Sequence, residues 1–193
     1  MKRRAFVLAA AALAITACDR LSTPTFNAVD ITGAEIGGDF ALTDHNGRKV
    51  SLADFRGKAV VLFFGFTQCP DVCPTTLSDM AKVMKLLGPD AARVQVLFVT
   101  VDPERDTPEL LKAYVPQFNP AFLGLYGDAE ATAKVAKDFR IYVQKRPTGA
   151  PGQYTIDHSA QTLVFDANGK VRLFLNYGME PDKIASDLKK LLN

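Results

Sequence analysis

Long apolar runs separated by polar segments predict the secondary structure of this chain. Residues 59–64 are continuously apolar between Gly57 and Gly65, and residues 94–101 are nearly so. A strand buried on both faces of a sheet has this pattern. Other segments repeat apolar residues at helical spacing instead. The predicted helices cover residues 75–87, 107–115, 128–139 and the C-terminal segment from Glu180-Pro181.

Two Asn-Gly pairs predict β-hairpins. One turn, at Asn46-Gly47, lies within residues 37–52, and the other, at Asn168-Gly169, joins strands 163–165 and 171–175. Shorter extended pieces are predicted at residues 122–125 and 142–143. Strands that alternate with helices indicate an α/β domain with a mixed central sheet flanked by helices. The order of elements is that of a single thioredoxin-like domain with an added N-terminal β-hairpin.

The first residues predict an export signal over residues 1–17. Residues 2–4 are basic, and the apolar run that follows is shorter than the roughly 20 residues of a membrane-spanning helix. The segment 15–18, Ile-Thr-Ala-Cys, resembles the lipobox of bacterial lipoproteins, which indicates lipidation of Cys18. An ordinary signal peptide with an incidental cysteine is the alternative. We expect a lipid anchor on the periplasmic side of the inner membrane.

Composition divides the rest of the chain into a tether and one domain. Residues 18–36 contain few large apolar side chains and predict a lipidated N-terminus with a flexible tether, and residues 37–193 predict the folded domain. The chain has 23 Lys and Arg and 21 Asp and Glu, and loss of the basic residues at 2–4 makes it nearly neutral. No basic run remains, so nucleic acid is not an expected partner.

With Cys18 assigned to lipid, Cys69 and Cys73 remain as a pair that follows the first buried strand. Pro74 suits the first position of the next helix, so Cys73 lies where the helix N-terminus favours a thiolate. Residues four apart in a helix are about 6 Å apart along its axis. This distance allows either a redox-active disulfide or two sulfurs on one soft metal ion. The spacing leaves both open.

A third ligand would favour the metal, and the chain has two histidines. His45 lies in a polar turn and is predicted to be exposed to solvent. His158 precedes strand 163–165, and in thioredoxin-like domains the loop before this strand packs against the active-site cysteines. We therefore expect His158 to be a ligand. Asp71 and Asp157 are candidates for outer partners that tune the site, although simple solvation explains them equally well.

Three motifs together resemble the Sco/SenC family: Cys-Pro-Asp-Val-Cys-Pro at 69–74, Val-Asp-Pro-Glu-Arg-Asp-Thr at 101–107 and Asp-His-Ser at 157–159. The resemblance implies a copper metallochaperone, not an enzyme, that delivers copper to cytochrome c oxidase subunit II. Other periplasmic copper chaperones or thiol reductants are the further partners expected. Two thiolates and an imidazole suit Cu(I), and an added oxygen ligand accommodates Cu(II). The implied ligands are Cys69, Cys73 and His158.

Other functions use the same residues. A thiol–disulfide oxidoreductase would use Cys69 and Cys73 to keep the copper-site cysteines of the oxidase reduced. A peroxiredoxin-like peroxidase and a copper- or redox-sensing interaction protein are weaker alternatives. The loop 102–106 either contacts a partner or caps the helix at Thr107. Met80 and Met84 lie on an apolar helix face, which predicts core packing rather than a thioether copper site.

Overall fold

The computed structural model describes residues 24–149 and 151–193 of the chain. The predicted signal peptide over residues 1–17 and the predicted lipidation site Cys18 lie outside the described residues. Among the helices that the structure describes, none combines the length and the apolar composition that a membrane crossing requires.

The described part of the chain contains ten strands and four α-helices, with short 3-10 helices between some of them. The strands are β1 Val29–Asp30, β2 Leu42–Asp44, β3 Lys49–Val50, β4 Ala59–Gly65, β5 Val94–Thr100, β6 Leu123–Tyr126, β7 Val143–Pro147, β8 Tyr154–His158, β9 Thr162–Phe165 and β10 Val171–Leu175. The helices are α1 Val72–Leu87, α2 Pro108–Tyr114, α3 Ala129–Asp138 and α4 Pro181–Leu192.

A mixed central sheet of eight strands organises the fold, in the order β1-β10-β9-β4-β5-β6-β2-β3. Strand β4 pairs parallel with β5 and antiparallel with β9, and β5 pairs parallel with β6. Strands β7 and β8 form a separate two-stranded sheet. The predicted α/β domain with a mixed sheet flanked by helices is confirmed.

The core lies on both faces of this sheet because alternate residues of a strand point to opposite faces. Ala59, Val61 and Phe63 of β4 join one buried cluster, which contains the apolar faces of α1 and α4. The residues between them join a second cluster with α3 and the β2–β3 hairpin. Met80 and Met84 are buried in the first cluster, as their helical spacing predicts. Strand β4, which leads into the cysteine segment, is therefore held rigidly from both sides.

The predicted N-terminal hairpin forms, and it extends the central sheet. Leu42 of β2 lies opposite Val50 of β3, and β2 also pairs antiparallel with β6. This pairing makes the prediction of an exposed His45 wrong. The side chain is buried, and its Nδ1 accepts a hydrogen bond of 3.0 Å from the N–H of Gly124. Burial lowers the pKa of His45, so it is a neutral structural residue.

Part of the predicted tether belongs to the domain. Within residues 18–36, strand β1 pairs with β10 at the edge of the central sheet. Just before β1, the carboxylate of Asp187 on α4 accepts hydrogen bonds from the N–H groups of Asn27 and Ala28. Asp187 is fully buried, so this contact seals the edge of the core. Of the tether predicted for residues 18–36, the part around β1 is thus ordered at the edge of the sheet.

The hairpin of β7 and β8 was not predicted beyond a short extended piece at residues 142–143. Every residue of β7 is exposed, so the strand lacks the apolar alternation by which half-buried strands are recognised. In the hairpin Val143 lies opposite His158. His158 is therefore the last residue of a strand and not part of the loop in which the sequence placed it.

Candidate metal centre

The two cysteines lie where β4 passes into α1. Cys69 is in the connecting loop and is half-buried, whereas Cys73 lies in the first turn of the helix and is fully buried. Helix α1 begins at Val72, three residues before the predicted start at residue 75. Both cysteines are free thiols.

His158 brings a third donor to this pair. The Nε2 atom of His158 is 4.0 Å from the Sγ atom of Cys73. The ligand atoms of Cys69, Cys73 and His158 all lie within 4.8 Å of one another. The Nδ1 atom of His158 is 2.9 Å from the carbonyl oxygen of Ser159. Because a carbonyl only accepts hydrogen bonds, Nδ1 carries the proton, and Nε2 keeps its lone pair for a metal.

Burial sets the protonation of the site. It raises the pKa of the Cys73 thiol far above its ordinary value, although a hydrogen bond from the backbone of Phe66 acts in the opposite direction. Loss of hydration therefore opposes the thiolate that the start of α1 is expected to favour in the metal-free protein. Burial also lowers the pKa of His158. The imidazole is neutral at neutral pH, as a metal ligand must be.

Gly65, the last residue of β4, makes room for the Cys73 thiol. A Cβ atom at this position would lie 2.7 Å from the Sγ atom of Cys73 and 2.8 Å from the Phe98 ring. Both distances are shorter than real Cβ contacts, so any side chain here would displace the sulfur or the ring. The backbone of β4 thus forms one wall of the site.

Asp106 anchors the loop that carries Cys69. Its buried carboxylate accepts hydrogen bonds from the Thr67 N–H at 3.0 Å, the Thr67 hydroxyl at 2.5 Å and the Thr100 hydroxyl at 2.6 Å. Burial raises the pKa of Asp106 despite these hydrogen bonds. Directly after Asp106, in the loop between β5 and α2, Thr107 caps α2 by accepting a hydrogen bond from the N–H of Leu110. The loop 102–106 thus leads directly into a capped helix, and contact of this loop with a partner stays a prediction.

The structure also connects this loop to the hairpin that carries His158. The hydroxyl of Tyr154 on β8 donates to Asp102, and the Arg105 guanidinium donates to the carbonyl oxygen of Tyr154. Tyr154 was not among the predicted site residues. No local pattern marks it, because its partners lie about fifty residues earlier in the chain.

The two aspartates predicted as outer partners take different positions. Asp71 is exposed at the N-cap of α1, and the Thr75 hydroxyl is 3.4 Å from its carboxylate. Asp157 is exposed and pairs with Arg146 of β7 at 2.8 Å. Among the hydrogen bonds of the described residues, neither carboxylate contacts the two thiols or the imidazole. A tuning role for them stays a prediction.

Fold and site together define a class of protein. It is a thioredoxin-like α/β domain in which two thiols at the start of a helix and an imidazole from a late strand face one another. The SCO1/SenC family model matches residues 29–193. The chain belongs to the SCO1/SenC family, which confirms the resemblance seen in its motifs.

Individual relatives show how far the similarity extends. The bovine mitochondrial protein SCO2 homolog is 44% identical over 142 residues, which cover 72% of this chain and 52% of that protein, so the chain matches about half of its relative's length. The structure of Bradyrhizobium japonicum ScoI with copper bound is 44% identical, with a TM-score of 0.76 over 81% of this chain and 99% of that one. A SCO1/SenC family lipoprotein from Bacillus anthracis is 28% identical, with a TM-score of 0.74 over 88% and 100%.

Proposed function

We propose that the protein binds copper through Cys69, Cys73 and His158 and delivers it to the copper centre of cytochrome c oxidase subunit II. The observation that carries the proposal is the convergence of these three donor atoms within 4.8 Å. Two sulfurs and an imidazole nitrogen form a soft ligand set that suits Cu(I). The copper bound to the related B. japonicum protein supports the choice of metal.

The geometry of the site suits a metal ion that is bound and then transferred to a partner. Three protein ligands leave a coordination position at which a partner's ligand can enter. Cys69 and His158 are half-buried, so the ion is reachable from their side, whereas Cys73 holds it from within the core. Two thiolates with Cu(I) carry one net negative charge, which the N-terminus of α1 stabilises. Transfer to the oxidase subunit is supported by membership of the SCO1/SenC family.

The proposed place of action is the periplasmic face of the inner membrane. A signal peptide over residues 1–17 and lipidation of Cys18 would hold the domain there. The related lipoprotein from B. anthracis supports a lipid anchor. Mass spectrometry of the mature protein tests this: we expect an acylated N-terminal Cys18, and an unmodified chain with another N-terminus would contradict it.

A second candidate function is thiol–disulfide exchange with the copper-site cysteines of the oxidase. It is favoured by the two free thiols, Cys69 and Cys73, whose sulfurs lie within reach of each other. Oxidation of the pair to a disulfide would remove both thiolates and release the metal, so redox state and copper binding are coupled. His158 separates the two functions, because dithiol exchange does not need an imidazole ligand.

Anaerobic titration with Cu(I) against a competing chelator tests the proposal. We expect one tightly bound ion per chain and no such binding when Cys69 and Cys73 are both replaced by serine. The His45→Gln variant is a control, because it removes an imidazole that lies outside the ligand set. Unchanged binding by the double serine variant would contradict the proposal.

Repeating the titration at several pH values should show that acid weakens copper binding. Burial keeps Cys73 protonated at neutral pH, so the ion must displace at least this proton. One displaced proton lowers the affinity by about tenfold for each unit of pH decrease. The lowered pKa of His158 keeps the imidazole out of this competition until the pH falls below its ordinary value. An affinity that stays constant from about pH 8 to about pH 6 would contradict this assignment.

A further inference from the structure

The sheet that delivers His158 is not paired with the central sheet. As strands, β7 and β8 pair only with each other, and all of β7 is exposed. The cysteines, by contrast, are fixed to the buried strand β4 and the helix α1. The distance between the His158 imidazole and the two thiols therefore depends on the side-chain contacts that attach the hairpin to the domain.

One arginine makes several of these contacts, beside the packing of Ile156 in the core. The Nη1 atom of Arg105 donates to the Tyr154 carbonyl at 2.8 Å and to the Gln68 side chain at 3.1 Å. Its Cζ atom lies 3.7 Å from the centroid of the Tyr154 ring, a cation–π contact. Its Nε atom donates to Asp102, and Asp102 also accepts from the Tyr154 hydroxyl at 2.7 Å. We name Asp102, Arg105 and Tyr154 the Arg105 clamp.

The clamp joins the two segments that carry ligands. Gln68 is the neighbour of Cys69 in the β4–α1 loop, whereas Tyr154 begins the strand that ends at His158. The ring of Phe66 lies close to both Arg105 and His158. Its centroid is 5.8 Å from the Arg105 Cζ atom and 5.8 Å from the centre of the His158 imidazole, which it meets edge to face. The hairpin and the cysteine loop therefore both contact the same guanidinium.

The chemistry of the clamp requires an arginine. A planar guanidinium can stack on an aromatic ring while its N–H groups donate to several acceptors in the plane of the guanidinium itself. A lysine ammonium cannot do both. Asp102 is fully buried and Arg105 is mostly so, with 21% of its side chain exposed. A buried carboxylate needs such a partner, because an unpaired buried charge is costly.

We propose that Arg105, held by Asp102 and Tyr154, positions His158 against Cys69 and Cys73 and so determines whether copper has two ligands or three. Arg105 is a positioning residue and does not touch the ion. The inference rests on the proposed ligand set. Loss of the clamp loosens the hairpin, which stays attached through Ile156, and the imidazole is then no longer held against the two sulfurs.

A double-mutant cycle tests the proposal, with Cu(I) affinity of the purified protein measured by chelator competition. Arg105→Met keeps the aliphatic stem and should weaken binding by roughly ten- to a hundredfold, the usual effect of losing a partner that orients a ligand. In the His158→Ala background the same change should cost less than about twofold, because the residue acts through His158. Arg48→Met is the control: it removes the same charge from an exposed arginine, which pairs with the buried Asp44.

Tyr154→Phe gives a milder second variant, because it removes the hydroxyl bond to Asp102 and keeps the stacked ring. It should weaken binding by several-fold, again only when His158 is present, and it decides the question if Arg105→Met does not fold. Equal losses in both backgrounds, or no loss in either variant, would overturn the clamp. If His158→Ala alone left affinity unchanged, the ligand set itself would be wrong, which is a distinguishable result.

Discussion

Replacing His158 by alanine is expected to weaken Cu(I) binding by more than about a hundredfold, since even partners that only orient a ligand are worth 10–100-fold. The Nε2 atom of His158 is the one nitrogen donor in the cluster, 4.0 Å from the Cys73 sulfur. Without it, copper has two sulfur ligands. Chelator competition under anaerobic conditions measures the loss.

The same variant should keep its dithiol chemistry. Cys69 and Cys73 remain side by side at the start of α1, so their rate of alkylation should change little. His45→Gln is the matched control: it removes the other imidazole, which lies buried against β6, and should alter stability but not copper affinity. An unchanged affinity in His158→Ala would leave a dithiol redox protein as the better description.

Gly65→Ala is expected to damage both the fold and the site. The added methyl group would lie 2.7 Å from the Cys73 sulfur and 2.8 Å from the Phe98 ring. Overpacking of a well-filled core typically costs about 1–3 kcal/mol of folding free energy. The strain is relieved most directly by moving the sulfur away from its co-ligands, so copper affinity should fall as well, by tenfold or more on the scale of about 1.4 kcal/mol per factor of ten.

Denaturant unfolding and copper titration of Gly65→Ala measure the two effects separately. Gly38→Ala is the matched control, because no heavy atom lies within 4 Å of its added Cβ and its backbone does not occupy the left-handed region. It should leave both quantities unchanged. A Gly65→Ala protein with the stability and affinity of the wild type would show that β4 does not form the wall described for the thiol site.

The parts of the fold that the sequence predicts are those with local signals. Strands β4 and β5 are continuous apolar runs, and the helices α1 and α4 repeat apolar residues on one face. The hairpin β9–β10 has an Asn-Gly turn. Each of these signals is contained in about a dozen residues, so the pattern along the chain is sufficient to recognise the element.

What the sequence does not predict depends on contacts between distant segments. His45 is buried only because β2 pairs with β6. Strand β1 is ordered only because it pairs with β10 and because Asp187 accepts hydrogen bonds from the residues just before it. The raised pKa of Cys73 comes from burial, which a helix position alone does not reveal. The hairpin β7–β8 has no apolar face of its own. Tertiary packing decides all four.

The sequence predicts more of the candidate site than of the contacts that surround it. Cys69 and Cys73 are neighbours along the chain, and the fold position of His158, together with the family motifs, predicts where its imidazole lies. The structure brings all three within 4.8 Å. The Arg105 clamp that accompanies them could not be found in this way, because Tyr154 reaches Asp102 from 52 residues away.

X-ray absorption spectroscopy at the copper edge of the Cu(I)-loaded protein tests most directly whether the three side chains share one ion. The account predicts two sulfur scatterers and one nitrogen whose outer-shell pattern is that of an imidazole, with the imidazole pattern lost in His158→Ala. A spectrum with sulfur neighbours alone, identical in the wild type and in His158→Ala, would contradict it.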